Sequence, residues 1–235
     1  MNLTENNRVG ELVAIDYRTA EVFTRHKIDF CCKGGQTIDA VCKSKGIDST
    51  TLLKELENII ESKSVQNITF SDWPLDLLID YIEKKHHRYI NQKTPVILTY
   101  LKKVTSVHGI AHPELLEIYE LFTASAQNLA AHMKKEELIL FPYIKKLENS
   151  ETPITAHFGS VENPIAMMKE EHNDEGERFS RISELSNAYQ LPPDACPTYN
   201  VTFQLLKEFE SDLHQHIHLE NNILFPAAIL AETKK

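Results

Sequence analysis

Along most of the chain, apolar residues recur every three or four positions, the spacing of amphipathic helices. Four long stretches of this kind predict helices over about 74–105, 113–147, 162–188 and 197–231. Pro113 sits favourably in the first turn of the second. Pro95 is expected to kink or split the first, and Pro142 and Pro226 to disturb the last turns of the second and fourth. Two loops rich in proline and small polar residues, ENSETPITAHFGS and AYQLPPDACPT, follow the second and third. Four long helices on modest loops make an antiparallel bundle. Ahead of them, residues 1–62 read as a small helical domain. VGELVAIDYRTAEVFTRH is loosely helical through Leu12, Val13, Ala20, Val22 and Phe23, and KIDFCCKGGQT interrupts it with a Gly-Gly turn. Two short amphipathic stretches follow, the second with Asp48 and Ser49 as caps before Leu52, Leu53, Leu56 and Ile59. ESKSVQNITFSD is polar and aperiodic, so 63–73 reads as a flexible linker to a bundle at 74–235. With no strand-like alternation the chain is all-α.

Inside the bundle a pattern occurs twice. HMKKEELILFP runs from 132 to 142 and HIHLENNILFP from 216 to 226. His and Glu four apart share one face of a helix. His132 and Glu136 lie beside Leu129 and Leu140, and His216 and Glu220 beside Leu213 and Leu224, so both pairs project from core-facing stripes. A single such pair is ordinary surface i,i+4 chemistry; two copies with the same ILFP tail are not. His172 joins them on the stripe of Ile165, Met168, Phe179 and Ile182. It lies 44 residues before His216, and His87 lies 45 before His132. Two helical hairpins, each giving one His and one His-x3-Glu pair, bring four His and two Glu to one interior point. A bare carboxylate or imidazole is costly there, and a metal ion compensates both. Six ligands suit two ions about 3.5–4 Å apart with the carboxylates as bridges. A helical wheel puts His86, not His87, on the stripe of Ile79, Ile82, Tyr89 and Ile90; the repeat offset favours His87 only slightly. His214 and His218 fall about 200° around the wheel from His216 and are expected to be solvated or peripheral. His108, His112 and His157 are expected in or near loops, and His26 at the surface.

The net charge of −9 argues against nucleic acid. No apolar run is long enough to span a membrane, and no signal peptide is evident at the start. Four cysteines are no disulfide framework, so the cytoplasm is the expected compartment. Adjacent Cys31 and Cys32 cannot form an unstrained bridge. Two roles are open to them: thiolates that hand over iron or meet another chain's thiol, or two small side chains, one buried and one exposed. A turn opening a helix would lower their pKa. Cys42 and Cys196 read as buried. Glu171, beside His172, reads either as an acceptor or proton relay behind a metal ligand or as a solvated helix charge.

These motifs, in order, are IDFCCKGGQTIDAVC, HH at 86–87, VHGIAHPEL, HMKKEELILFP, EEHNDEGE and HIHLENNILFP. The bundle resembles the hemerythrin-like domain, and nearly the whole chain resembles the iron–sulfur cluster repair di-iron proteins of the ScdA and YtfE type. The resemblance implies two non-haem iron ions, carboxylate- and oxo-bridged, held by His87, His132, Glu136, His172, His216 and Glu220, and it selects His87 over His86. It implies repair of iron–sulfur proteins damaged by nitrosative or oxidative stress, by iron donation, by nitric oxide reduction or by both, and a homodimer. The alternative is an oxygen or nitric oxide sensor or carrier signalling through residues 1–62. His-x3-Glu replaces the His-to-Asp pattern of oxygen-carrying hemerythrins, which points away from reversible oxygen carriage.

Overall fold

A computed structural model describes residues 3–61, 69–154 and 156–234. Four short helices come first: α1 (Val9–Ile15), α2 (Thr19–Arg25), α3 (Ile38–Lys45) and α4 (Ser49–Glu61). Their limits follow from local chemistry. Thr37 accepts from the Ala40 amide to start α3, and Gly46 ends it at a left-handed φ of 65°. Asp48 accepts from the Thr51 amide at 2.9 Å at the start of α4.

Most of the expected linker, residues 63–68, lies outside the described residues, as does residue 62. Its last part packs. Phe70 is buried in a short 3₁₀ turn, Phe70–Asp72, with its ring 5.0 Å from Trp73 and 5.1 Å from Tyr81. One aromatic in a polar run gave no periodic signal.

Four long rods follow. The first joins α5 (Leu75–Tyr81) to α6 (Arg88–His108) through a π-helical turn, Ile82–His87. The second joins α7 (Glu114–Lys135) to α8 (Phe141–Asn149) through a π turn at Glu136–Leu140. The third is α9 (Glu162–Leu185), ended by left-handed backbone at Asn187, Ala188 and Tyr189. The fourth joins α10 (Pro197–Leu219) to α11 (Phe225–Thr233) through a π turn at Glu220–Leu224. The first rod packs on the second and fourth, and the third also packs on those two. The expected split at Pro95 does not occur: α6 continues through it. Pro142 and Pro226 each follow a π turn, where the first turn of a fresh α segment tolerates a residue without an amide donor.

The core divides in two. The upper part unites the small helices with one half of the bundle, through residues such as Phe23, Phe30, Phe122, Phe179 and Phe209. The lower part gathers Ile79, Phe141, Ile144, Ile165, Leu224 and Phe225. Between the two lies a buried polar layer.

Candidate metal centre

That layer contains His86, His87, His132, Glu136, His172, His216 and Glu220, none more than 3% exposed. Six of these side chains form two groups, His87–Glu136–His216–Glu220 and His132–Glu136–His172–Glu220, in which one ligand atom per residue lies within 4.8 Å of every other. Both carboxylates belong to both groups. Glu136 turns Oε2 to His87 Nε2 at 3.4 Å and Oε1 to His132 Nε2 at 3.3 Å. Glu220 turns Oε1 to His216 Nε2 at 2.9 Å and Oε2 to His172 Nε2 at 3.2 Å. Each carboxylate therefore offers one oxygen to each pair of imidazoles. Within the pairs the Nε2 atoms face one another, at 3.2 Å for His87 and His216 and 3.1 Å for His132 and His172.

The π turns explain how the helices deliver these groups. Two of them begin on the glutamates, and the third ends on His86 and His87. A π turn spreads its residues more widely than 3.6 per turn, and such turns gather at functional sites. A regular wheel forces a choice between His86 and His87, whereas the wider turn buries both. Only His87 reaches the glutamates; His86 Nδ1 faces Asp212 Oδ2 at 3.0 Å, and its ring stacks on His216.

Behind the imidazoles stands a set of acceptors. His87 Nδ1 donates to Glu137 at 2.7 Å, His132 Nδ1 to Glu171 at 2.8 Å and His172 Nδ1 to Asn221 at 2.9 Å. A bonded Nδ1–H fixes the tautomer that leaves Nε2 bare for a metal. Glu171 thus meets His132 on the second rod, not its neighbour His172, and is itself held by Lys135. Glu137, Asn221 and Asp212 were missed from the sequence. For the first two a signal existed, since each directly follows a repeated glutamate. Asp212 stands four before His216 and had no such marker. One turn above His172, Glu175 is also buried and accepts from Ser125 at 2.7 Å.

The charges are mutually dependent. Burial and Glu220 push Glu136 up, but His132 and His87 outweigh them and hold it below the usual carboxylate range. Burial works against Glu220 too, and His216 and His172 pull it well down. Burial lowers His132, yet Glu136 and Glu171 raise it to about 10. Hydrogen bonds from His132 and Lys135 bring Glu171 to about 2. Both Glu136 oxygens and Glu220 Oε2 lack a hydrogen-bond partner among the described residues. Two buried carboxylates with unsatisfied oxygens, facing four converging imidazole Nε2 atoms, need cations to be tolerable. The donor set, imidazole and carboxylate without thiolate, fits a di-iron centre.

Other sequence expectations need correction. His218 is buried and its pKa is lowered by burial to about 4; His214 is half-buried and also lowered by burial. Their side of α10 faces away from the bundle axis but lies under the small helices, against Phe30 at ring distances of 6.1 Å for His214 and 5.9 Å for His218. Cys31 and Cys32 lie in a turn well before α3, not at a helix start. Cys31 is buried and Cys32 half-buried, with their sulfurs 3.7 Å apart. The Cys32 thiol, burial and Asp29 push the Cys31 thiol well up, opposite to the lowering expected. Cys196 is half-buried and caps α10, where the Tyr199 amide and His108 lower it. His26 is half-buried against Glu55 at 3.2 Å. His108 ends α6, and His112 and His157 lie between helices. No helix among the described residues is long and apolar enough to cross a membrane.

The CC turn touches the polar layer. Cys32 Sγ donates to the His172 carbonyl at 3.3 Å, and Asn221 donates to the Cys31 carbonyl at 3.3 Å. Asn222 donates to the carbonyls of Phe30 and Cys31. Gly10 and Gly34 permit this approach: a Cβ would come within 2.6 Å of Asn222 Oδ1 at Gly10 and within 2.5 Å of the Phe30 carbonyl at Gly34.

Comparison with known proteins agrees with this arrangement. Residues 78–228 match the family model of the hemerythrin HHE cation binding domain, and residues 5–60 match ScdA_N, a domain of unknown function. The chain is 32% identical over 227 residues to the iron-sulfur cluster repair protein YtfE of Citrobacter koseri, covering 95% of this chain and 97% of the relative. It is 30% identical over 223 residues to the iron-sulfur cluster repair protein ScdA of Staphylococcus haemolyticus, covering 95% and 98%. A small helical domain packed on a bundle whose buried His and Glu form two adjoining groups, matched along nearly its whole length, places this chain in the hemerythrin-like family of iron–sulfur cluster repair proteins.

Proposed function

We propose that this protein repairs iron–sulfur clusters damaged by nitrosative or oxidative stress, using two iron ions held by His87, His132, Glu136, His172, His216 and Glu220. One observation carries the reading: Glu136 and Glu220 each present one oxygen to each imidazole pair. The ions supply exchangeable ferrous iron and adjacent sites for nitric oxide or oxygen. The protein's part is to hold them. Glu137, Glu171 and Asn221 keep three imidazoles in the metal-binding tautomer, and the apolar clusters above and below restrict water. Clients are damaged iron–sulfur proteins. The test is anaerobic reactivation of a nitric oxide-damaged [4Fe–4S] hydratase. The reduced, iron-loaded chain restores activity; the same chain carrying Glu136→Ala and Glu220→Ala does not. Equal rescue by both would remove repair through this centre.

A second reading, gas sensing through the small helices, draws on the Asn221–Cys31 and Cys32–His172 contacts. It requires nitric oxide to change hydrogen exchange in α1–α4 with no rescue of the hydratase.

A further inference from the structure

The imidazoles at the two ends of the pocket are not held alike. The repeat that relates His132 to His216 also relates Glu171 to His86, 85 positions apart. At one end, His132 Nδ1 donates to Glu171, which Lys135 anchors, and His172 Nδ1 donates to Asn221, whose amide is tied to the Cys31 carbonyl. At the other end His87 Nδ1 donates to Glu137, which is about as exposed as Glu171, 39% against 32%. His86 takes the place that Glu171 has opposite His132. It stacks on His216 at 5.6 Å with ring planes 4° apart and turns its Nδ1 to Asp212 instead. His216 Nδ1 is buried and has no hydrogen-bond partner among the described residues.

An imidazole that binds metal through Nε2 carries its proton on Nδ1. An acceptor there orients the ring and raises its basicity, and losing one typically costs 10–100-fold in metal affinity. Of the four imidazoles, His216 is the one without an acceptor among the described residues. On the outer side of His86, Asp212 lines a surface groove of about 510 Å³ with Lys85, Tyr89, Ser211 and Gln215.

We infer that the two iron positions are unequal, and that the His87–His216 position is the one that gives up its ion while the His132–His172 position retains its own. This rests on the di-iron reading above and specifies which iron is the cargo. The exchange involves no change of oxidation state. The ferrous ion leaves the Nε2 atoms of His87 and His216 and one oxygen each of Glu136 and Glu220, and takes up the donors of the acceptor.

The experiment uses the full chain loaded with ferrous iron and mixed anaerobically with excess ferrozine. Iron is expected to leave in two phases of one ion each, separated by about 10–100-fold in rate. Anomalous diffraction from crystals of protein recovered after the first phase should show iron between His132 and His172 alone. His86→Glu, which sets a carboxylate opposite His216, should slow the fast phase while two irons still bind. Glu171→Ala should speed the slow phase and leave the fast one unchanged. Release in one phase, residual iron at His87–His216, or a fast phase unmoved in a two-iron His86→Glu protein would overturn the inference. The native chain's anomalous map decides alone should a variant fail to fold. A freshly loaded chain with fewer than two irons contradicts the di-iron reading; two irons leaving together contradict only the inequality.

Discussion

His86 and His87 are adjacent, equally buried and different in what they can do. His87 Nε2 looks across to His216 Nε2 and Glu136, while His86 looks to Asp212. His87→Ala should therefore lower iron to one per chain or fewer, and His86→Ala should keep two, as measured by metal analysis of protein purified without oxygen. Away from the centre, Glu210 on α10 is a titrating liability: burial raises its pKa to about 7, against the pull of Tyr189 and Lys207. The folded chain binds this proton more tightly than the unfolded chain does. Folding stability is therefore highest below about pH 4.5 for this group and falls as pH rises towards 7. The raised pKa corresponds to at most about 3 kcal/mol above pH 7. Glu210→Gln should raise urea-unfolding stability at pH 8 by about 1–3 kcal/mol and change it little at pH 4.5. An equal effect at both pH values would mean the carboxylate is not held protonated.

Among the elements, the long rods were legible from sequence because a period of 3.6 survives over twenty or more residues. So were the two His-x3-Glu pairs, since that spacing works on any helix, and His172, which lies on an apolar stripe. Departures from that period were not legible. The first rod's wheel favoured His86 because nothing in IEKKHH announces a π turn, and Pro142 and Pro226 drew attention to the ends of the π turns without revealing them. Burial of His214 and His218 was hidden for another reason. A helix wheel knows the bundle axis but not the small helices that cover the opposite face. The turn at Glu136–Leu140 carries one residue more than a regular α turn, so deleting Leu138, which is 74% exposed, should close it to an α turn. The shorter turn covers nearly the same angle, which keeps Phe141, Ile144 and Leu147 in the lower core but removes the wide turn that delivers Glu136. Deletion should therefore lower iron below two per chain, whereas Leu138→Ala should keep two and stay within about 0.5 kcal/mol in stability. Metal analysis and chemical denaturation of both variants check this.

Across the whole molecule, the small helices and the bundle share one apolar cluster, and their CC turn sits against the π turn that carries Glu220. Iron retention and the packing of residues 3–61 should therefore be coupled. Gly10→Ala drives a methyl into Asn222 and Gly34. It should lower stability by about 1–3 kcal/mol and weaken iron retention through Asn221, seen as faster chelator extraction; unchanged extraction would separate the two parts. All of these effects depend on one buried pocket holding a pair of bridged iron ions. Mössbauer spectroscopy of the iron-57-loaded chain, with iron counted per chain, is the decisive measurement. Two irons per chain in an exchange-coupled pair, lost in the Glu136→Ala, Glu220→Ala double variant, are expected. A single uncoupled ion, tightly held zinc, or a coupled pair that survives loss of both glutamates would contradict it.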